Sequence, residues 1–86
     1  MPNLSLELDH LELANEHIAR TEAHLRRMRA ALEQQERRPG GSTQTYLNAV
    51  RAAENSLEVF YAHRCVILEI IQDIEDGRLA DTGSSH

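Results

Sequence analysis

The sequence predicts an all-α fold: a long antiparallel helical hairpin that dimerises into a four-helix bundle. Two segments of about 30 residues carry apolar residues at helical spacing, and one break separates them. The break is the run Arg-Pro-Gly-Gly-Ser at residues 38–42, since proline removes a backbone donor and glycine favours turns. The chain is therefore expected to be a single helical-hairpin domain over residues 1–86, with helix one at about 5–37, helix two at about 43–76 and a frayed tail at 77–86.

Helix one is predicted by leucine and isoleucine residues that recur every seven positions. They form one half of an a/d seam, and residues three positions later form the other half. Two residues compete as N-cap, Ser5 and Asp9, and Asp9 has Glu12 at capping-box spacing. The start is expected between Asn3 and Asp9. The seam positions are Leu4, Leu11, Ile18, Leu25 and Leu32, accompanied by Ala14, Thr21 and Met28.

Helix two has a wider apolar surface than one helix contact needs. Its main stripe alternates steps of three and four residues and contains one charged residue, Arg64, and a second apolar strip runs beside it. Ser42 or Thr43 is expected to cap the start, and Gly77 to follow the end. The main stripe is Tyr46, Val50, Ala53, Leu57, Phe60, Arg64, Ile67, Ile71 and Ile74, and the second strip is Ala49, Ala52, Val59, Ala62, Val66 and Ile70.

The second strip of helix two predicts association, because two helices bury only the strips that face each other. The simplest closed assembly is a two-fold homodimer, and a further protein partner is the other candidate to bind this strip. The residues expected to form the hairpin or dimer core are Leu11, Ile18, Leu25, Met28, Leu32, Val50, Leu57, Phe60, Ile67 and Ile71.

The distribution of charge predicts how the two hairpins are oriented. Residues 1–19 carry four acidic residues and no arginine, whereas residues 20–38 carry six arginines and three glutamates. Residues 65–86 carry five acidic residues and one arginine. One end of the hairpin is therefore acidic from both helices, and head-to-tail hairpins would set each acidic end against a basic one.

Composition argues against several functions. The chain has nine arginines, no lysine and 14 acidic residues, with a net charge of −5. An acidic chain with few aromatic residues lacks the basic footprint that nucleic-acid binding needs, and no apolar run approaches the roughly 18 residues of a membrane span. The one cysteine, Cys65, permits no internal disulfide, which is typical of the reducing cytoplasm. Cys65 itself is expected to be a small buried apolar residue.

Three histidines lie on one stripe of helix one, at His10, His17 and His24. Steps of seven residues are about 10.5 Å apart along a helix, so no two of these side chains share one metal ion. The preferred interpretation is that of boundary histidines, half buried beside the seam with polar tips in water. The alternative is a metal-binding four-helix bundle that uses His10, His17 and His63 and the Glu7-x-x-His10 spacing of di-iron bundles.

Arg64 is the charged member of the main stripe of helix two. It is expected to form a buried or interface ion pair with Glu16 or another acid of helix one, and an anion-binding arginine is the functional alternative. A small helical enzyme similar to the helical chorismate mutases is a further alternative, although such sites cluster several cations and this chain has one inward cation and no lysine. No arrangement typical of catalysis or cofactor binding occurs, so we expect no enzymatic activity and no cofactor.

A pattern of residues in both helices carries a resemblance. It comprises His17-Ile18-Ala19-Arg20 with Glu22, His24, Leu25, Met28-Arg29 and Leu32, and later Glu54-x-x-Leu57, His63-Arg64 and Ile67-Leu68. Over about residues 8–72 the chain resembles small helical-hairpin proteins of soil alphaproteobacteria, and it departs from them at the Pro-Gly-Gly loop, at Tyr61 and at Cys65. The resemblance implies a bacterial cytoplasmic protein and brings no catalytic residues. The expected function is that of a non-enzymatic, self-associating interaction or regulatory protein.

Overall fold

The structure is a computed structural model that describes residues 3–79, and this part of the chain is an antiparallel hairpin of two α-helices. α1 spans Leu4–Glu36 and α2 spans Gln44–Glu75, so each predicted helix bound differs from the observed one by one residue. Residues 80–86 of the predicted tail lie outside the described residues. The hairpin is elongated, with Cα extents of 67 × 16 × 16 Å.

The N-terminus of α1 is capped by Asn3, which lies two residues before Ser5 and six before Asp9, the two predicted caps. The Asn3 side chain accepts a hydrogen bond from the Leu6 backbone N–H at 3.0 Å, which satisfies one of the free donors of the first turn. α2 begins after Thr43, whose side chain makes no capping hydrogen bond. Its first turn is closed by the Leu47 N–H, which donates to the Thr43 carbonyl at 2.9 Å. The expected side-chain cap at Ser42 or Thr43 is therefore absent.

The connection between the helices contains two positions that require glycine, one because of its backbone conformation and one because of a close contact. Gly40 has φ of +72°, the left-handed region that side chains rarely adopt. Gly41 lies so close to α1 that an added Cβ would stand 2.6 Å from the Gln35 carbonyl oxygen. At the other end of α2, Gly77 has φ of +78°, two residues after the last helical residue. The turn and the C-terminal cap both form where the sequence places them.

The helices pack along their predicted seams in two apolar clusters. We call the half of the hairpin that contains the chain ends the open half, and the half that contains the connection the loop half. No side chain of residues 3–79 is less than 2% exposed, and Ile67, at 3%, is the most buried. The loop-half cluster is Ile18, Leu25, Val50, Ala53 and Leu57 with Met28, Leu32 and Phe60, and the open-half cluster is Ala14, Ile67 and Ile71 with Leu4 and Leu11.

Arg64 lies in sequence between the α2 residues of the two clusters. Its Nε is buried and has no hydrogen-bond partner within residues 3–79. The ion pair expected with Glu16 is not formed, because Glu16 lies on the outer side of α1 and is 3.9 Å from Arg20 instead. The buried guanidinium nitrogen interrupts the apolar seam and separates the two clusters.

Candidate interaction surface

The two long faces of the hairpin differ in how the helices are connected. On one face the Tyr61 hydroxyl donates to the Glu22 carboxylate at 2.8 Å, and Arg29 forms a 3.0 Å ion pair with Glu54. We call this side the tied face. Both bonds join residues at the same level of the hairpin, so they add directional contacts to the apolar seam. Solvent-exposed bonds of this kind contribute little to stability.

The bond to Glu22 alters the chemistry of Tyr61. The Glu22 carboxylate accepts a hydrogen bond from the neutral phenol, and this bond raises the pKa of Tyr61 above its usual value of 10.0. The negative charge of Glu22 also raises the pKa of Tyr61, whereas the positive charge of Arg64 lowers it. The neutral phenol is therefore the form that the fold stabilises.

The opposite face of the hairpin contains the histidines, and we call it the histidine face. His10, His17 and His63 line one shallow groove together with Leu13. The His17 ring packs against Phe60, with ring centroids 5.6 Å apart. Of the three histidines expected to be half buried beside the seam, His17 is partly buried, whereas His10 and His24 are exposed, so the prediction holds for His17 and is wrong for the other two. His17 thus borders the core of the hairpin.

Large aliphatic side chains are exposed on the histidine face. Val59 is 66% exposed and Val66 is 52% exposed, and both belong to the second strip of α2. Leu6 and Leu13 of α1 are 50% and 49% exposed, and helical spacing places them on the same side as His10 and His17. We define the aliphatic ridge as the members of this set in the open half together with the half-buried Ile70. The ridge is Leu6, Leu13, Val66 and Ile70.

The loop half of the histidine face has small side chains in place of the ridge. An open groove of about 600 Å³ lies there between the helices, and it extends to Thr21 and His24 of α1. We call its α2 wall the alanine groove. The wall is Ala49, Ala52, Ala53 and Ser56.

The grooves between the helices on the histidine face contain no carboxylate, and acidic side chains lie along the edge of this face. Within the described chain, the charged residue that lines these grooves is Arg20. At the edge, Glu7 approaches His10, and Leu13 borders a shallow groove that contains Asp9, Glu12 and Glu16. The tied face has a different character, because its own open-half groove contains Glu12 and Glu16. Charged residues are depleted at the centres of protein interfaces. The histidine face therefore has the composition of an interaction surface.

The residues of the metal-binding alternative are not arranged as a ligand set in the described part of the chain. No group of three histidine, cysteine, aspartate or glutamate side chains within residues 3–79 is arranged to hold a metal ion. The Glu7 carboxylate approaches His10 at 3.7 Å, which is an exposed pair on one helix. The three histidines of the alternative metal hypothesis share a groove but do not converge on one point.

Two features of the site were not predicted from the sequence. Cys65 is exposed, so the prediction of a buried cysteine is wrong. Its position directly after Arg64 turns it away from the seam, because the buried positions of α2 are three and four residues apart. The cross-helix bond from Tyr61 to Glu22 was also missed. The signal that could have predicted this bond is a donor on α2 and an acceptor on α1 that lie about equally many residues from the loop, as Tyr61 and Glu22 do.

Comparison of the chain with protein-family models, with curated proteins and with solved structures gives no match. Neither α1 nor α2, over the residues that the structure describes, contains a stretch that is both long and apolar enough to cross a lipid bilayer.

Proposed function

We propose that this protein is a non-enzymatic interaction protein that acts by self-association, as a homodimeric four-helix bundle. The observation that carries the proposal is the row of exposed aliphatic side chains on the histidine face. Val59 and Val66 are each more than half exposed, and they lie beside the seam on the second apolar strip of α2. Large exposed apolar patches of this kind mark interaction sites.

The thin core of the hairpin supports this proposal. Two helices shield each other along one line, and even the best-buried side chain of the described hairpin keeps 3% of its exposure. Covering a half-exposed valine or leucine contributes about 1 kcal/mol. A second hairpin that covers the histidine face adds several such contributions and converts the two-layer seam into an enclosed core.

The bundle is proposed as a cytoplasmic bacterial protein, in line with the single cysteine and with the resemblance to small helical-hairpin proteins. Its biological role would be regulatory or structural, and a further protein partner would bind the assembled bundle. Support for a role without catalysis comes from the exposed aliphatic surface, which suits protein contacts better than it suits the binding of small polar molecules.

The test is to place a charge within the histidine face. Val59→Glu and Val66→Glu are expected to shift the protein from about 19 kDa, twice the chain mass of 9.7 kDa, to a monomer. The reason is that a dimer would have to bury an unpaired carboxylate. The mass is measured by light scattering after size exclusion, at one protein concentration.

The matched control is Ala19→Glu, because Ala19 is exposed and lies on the tied face of α1. This variant is expected to retain the mass of the unmodified protein. A monomeric unmodified protein would overturn the proposal, as would a Val59→Glu variant that remains a folded dimer. Helix content from circular dichroism separates loss of assembly from loss of fold.

A further inference from the structure

We propose that the second copy docks head-to-tail on the histidine face, with Val66 and Ile70 of each aliphatic ridge seated in the alanine groove of the other hairpin. This inference rests on the proposed self-association and specifies its geometry. In this arrangement the two-fold axis runs perpendicular to the helices. α2 then packs antiparallel on its own copy, and α1 does the same.

The side chains that α2 presents on the histidine face differ in size between the two halves. In the open half they are large, as Val66 and Ile70 show. In the loop half they are small, and they leave a groove of about 600 Å³ beside Ala52 and Ser56. Hairpins stacked in the same direction would set ridge against ridge and groove against groove, which leaves voids. Head-to-tail stacking sets large against small at both ends, as close packing requires.

The axial positions of the two features match in the head-to-tail arrangement. A two-fold axis at the middle of α2 lies near Phe60, because the helix spans Gln44–Glu75. Val66 of one copy then lies at a level between Ala52 and Ser56 of the other. Ile70 lies one turn farther along, at the level of Ala49 and Ala53.

The distribution of charge along the hairpin favours the same orientation and does not depend on side-chain size. Residues 3–19 contain four acidic residues and no arginine, and residues 20–38 contain six arginines. The net-acidic open half of each hairpin therefore lies alongside the net-basic part of the other in the head-to-tail arrangement, with Glu12 and Glu16 on the outer, tied faces. Stacking in the same direction would bring acidic residues of both chains together. Complementary charge sets the orientation of an interface more than its affinity.

The available area fits a stable homodimer. A rise of 1.5 Å per residue and a helix spacing of about 10 Å give the face a length of about 45 Å and a width of about 20 Å. The product is about 900 Å² for each copy, close to the roughly 800 Å² per partner of standard interfaces. A second copy of this chain is thus large enough and correctly shaped to cover the whole face.

The test measures orientation directly with one nitroxide label per chain. Cys65→Ser removes the exposed native thiol, and Ser42→Cys places a label in the connection between the helices. In a head-to-tail dimer the two labels are separated by about the length of α2, roughly 48 Å for its 32 residues. In a dimer of the same direction they are about 20 Å apart. Pulsed electron–electron double resonance distinguishes these distances.

A label at Glu58→Cys serves as the positive control, since mid-helix labels are close in either orientation. A dimer with the long Ser42 distance supports the inference. A dimer with the short distance overturns the orientation and leaves self-association intact. A protein with the mass of one chain overturns the proposed function and this inference with it.

Filling the groove tests the contact itself. Ala52→Trp occupies the space that receives Val66 and is expected to weaken dimerisation at least tenfold, measured as the dissociation constant by analytical ultracentrifugation. Ala19→Trp introduces the same side chain on the tied face and is expected to leave the dissociation constant within twofold. Equal effects of the two variants, or no effect of Ala52→Trp, would exclude the groove as the contact.

Discussion

The hydrogen bond between Tyr61 and Glu22 shows how one residue pair couples charge to helix pairing. The phenol donates to a carboxylate on the other helix at 2.8 Å, so the bond exists while the phenol keeps its proton. The pKa of Tyr61 is higher in the folded chain than its usual value of 10.0. The contribution of the bond to stability is therefore present below pH 10 and is lost as the pH rises through the folded-state pKa.

Titration of the tyrosinate absorbance tests this assignment. The Tyr61 signal, taken as the difference between the unmodified protein and Tyr61→Phe, is expected to have its midpoint above pH 10. Glu22→Gln keeps an acceptor but removes the negative charge, so the pKa of Tyr61 is expected to fall toward 10.0. A midpoint that Glu22→Gln leaves unchanged would show that another group perturbs the phenol.

At the scale of the helix, Arg64 is the least favourable residue of α2. A buried polar atom without a partner costs about 1–3 kcal/mol, and the Arg64 Nε is such an atom within the described chain. The position belongs to the apolar stripe of α2, between the apolar residues of the two core clusters. An apolar side chain of similar length would join these clusters into one.

Arg64→Met is accordingly expected to raise the free energy of unfolding by about 1–2 kcal/mol. Denaturant unfolding at a fixed protein concentration measures the change, because dissociation would contribute to the result. Arg51→Met is the matched control: Arg51 is exposed on the same helix, and its replacement is expected to change stability by less than about 0.5 kcal/mol. A less stable Arg64→Met variant would indicate that Arg64 has a favourable partner in the assembled protein.

The helices were predictable because their period, their break and their glycines are local signals. A seven-residue repeat and the Pro-Gly-Gly run locate both helices to within one residue at each end. The caps were less predictable: Asn3 competes with Ser5 and Asp9 for the same role, and the winner depends on how far the seam extends. The exposure of Cys65 was missed because its burial was inferred from residue type, although neither apolar strip of α2 contains it.

At the scale of the whole molecule, sequence periodicity predicted the exposed strip but not the difference between the two faces. The steps of seven residues between histidines place them on one flank of α1. Their proximity to His63, and the ties from Tyr61 and Arg29 on the other face, depend on the pairing level of the two helices. The axial alignment of α1 against α2 is a tertiary property that depends on the packing of the two clusters. The aliphatic ridge and the alanine groove can be defined only when this alignment is known.

Metal is expected to have no effect on assembly. His10 and His17 are about 10.5 Å apart along α1, so one ion does not bind both. Equimolar zinc added to chelator-treated protein is expected to change neither the mass nor the melting temperature. A rise in melting temperature that disappears in His63→Asn would contradict this prediction and favour a metal-binding bundle.

The position of both helix ends at the open half also determines how the hairpin responds to mechanical load. Tension applied between residues 3 and 79 acts across the seam, so the layers open one after another, starting beside Leu4. The open-half cluster separates first, the level of Arg64 offers little apolar resistance, and the loop-half cluster separates last. Tension applied along the helix axis, from the loop to residue 79, would instead be carried by α2 alone and would leave the seam unloaded. The hairpin therefore separates most readily when its two chain ends are pulled apart.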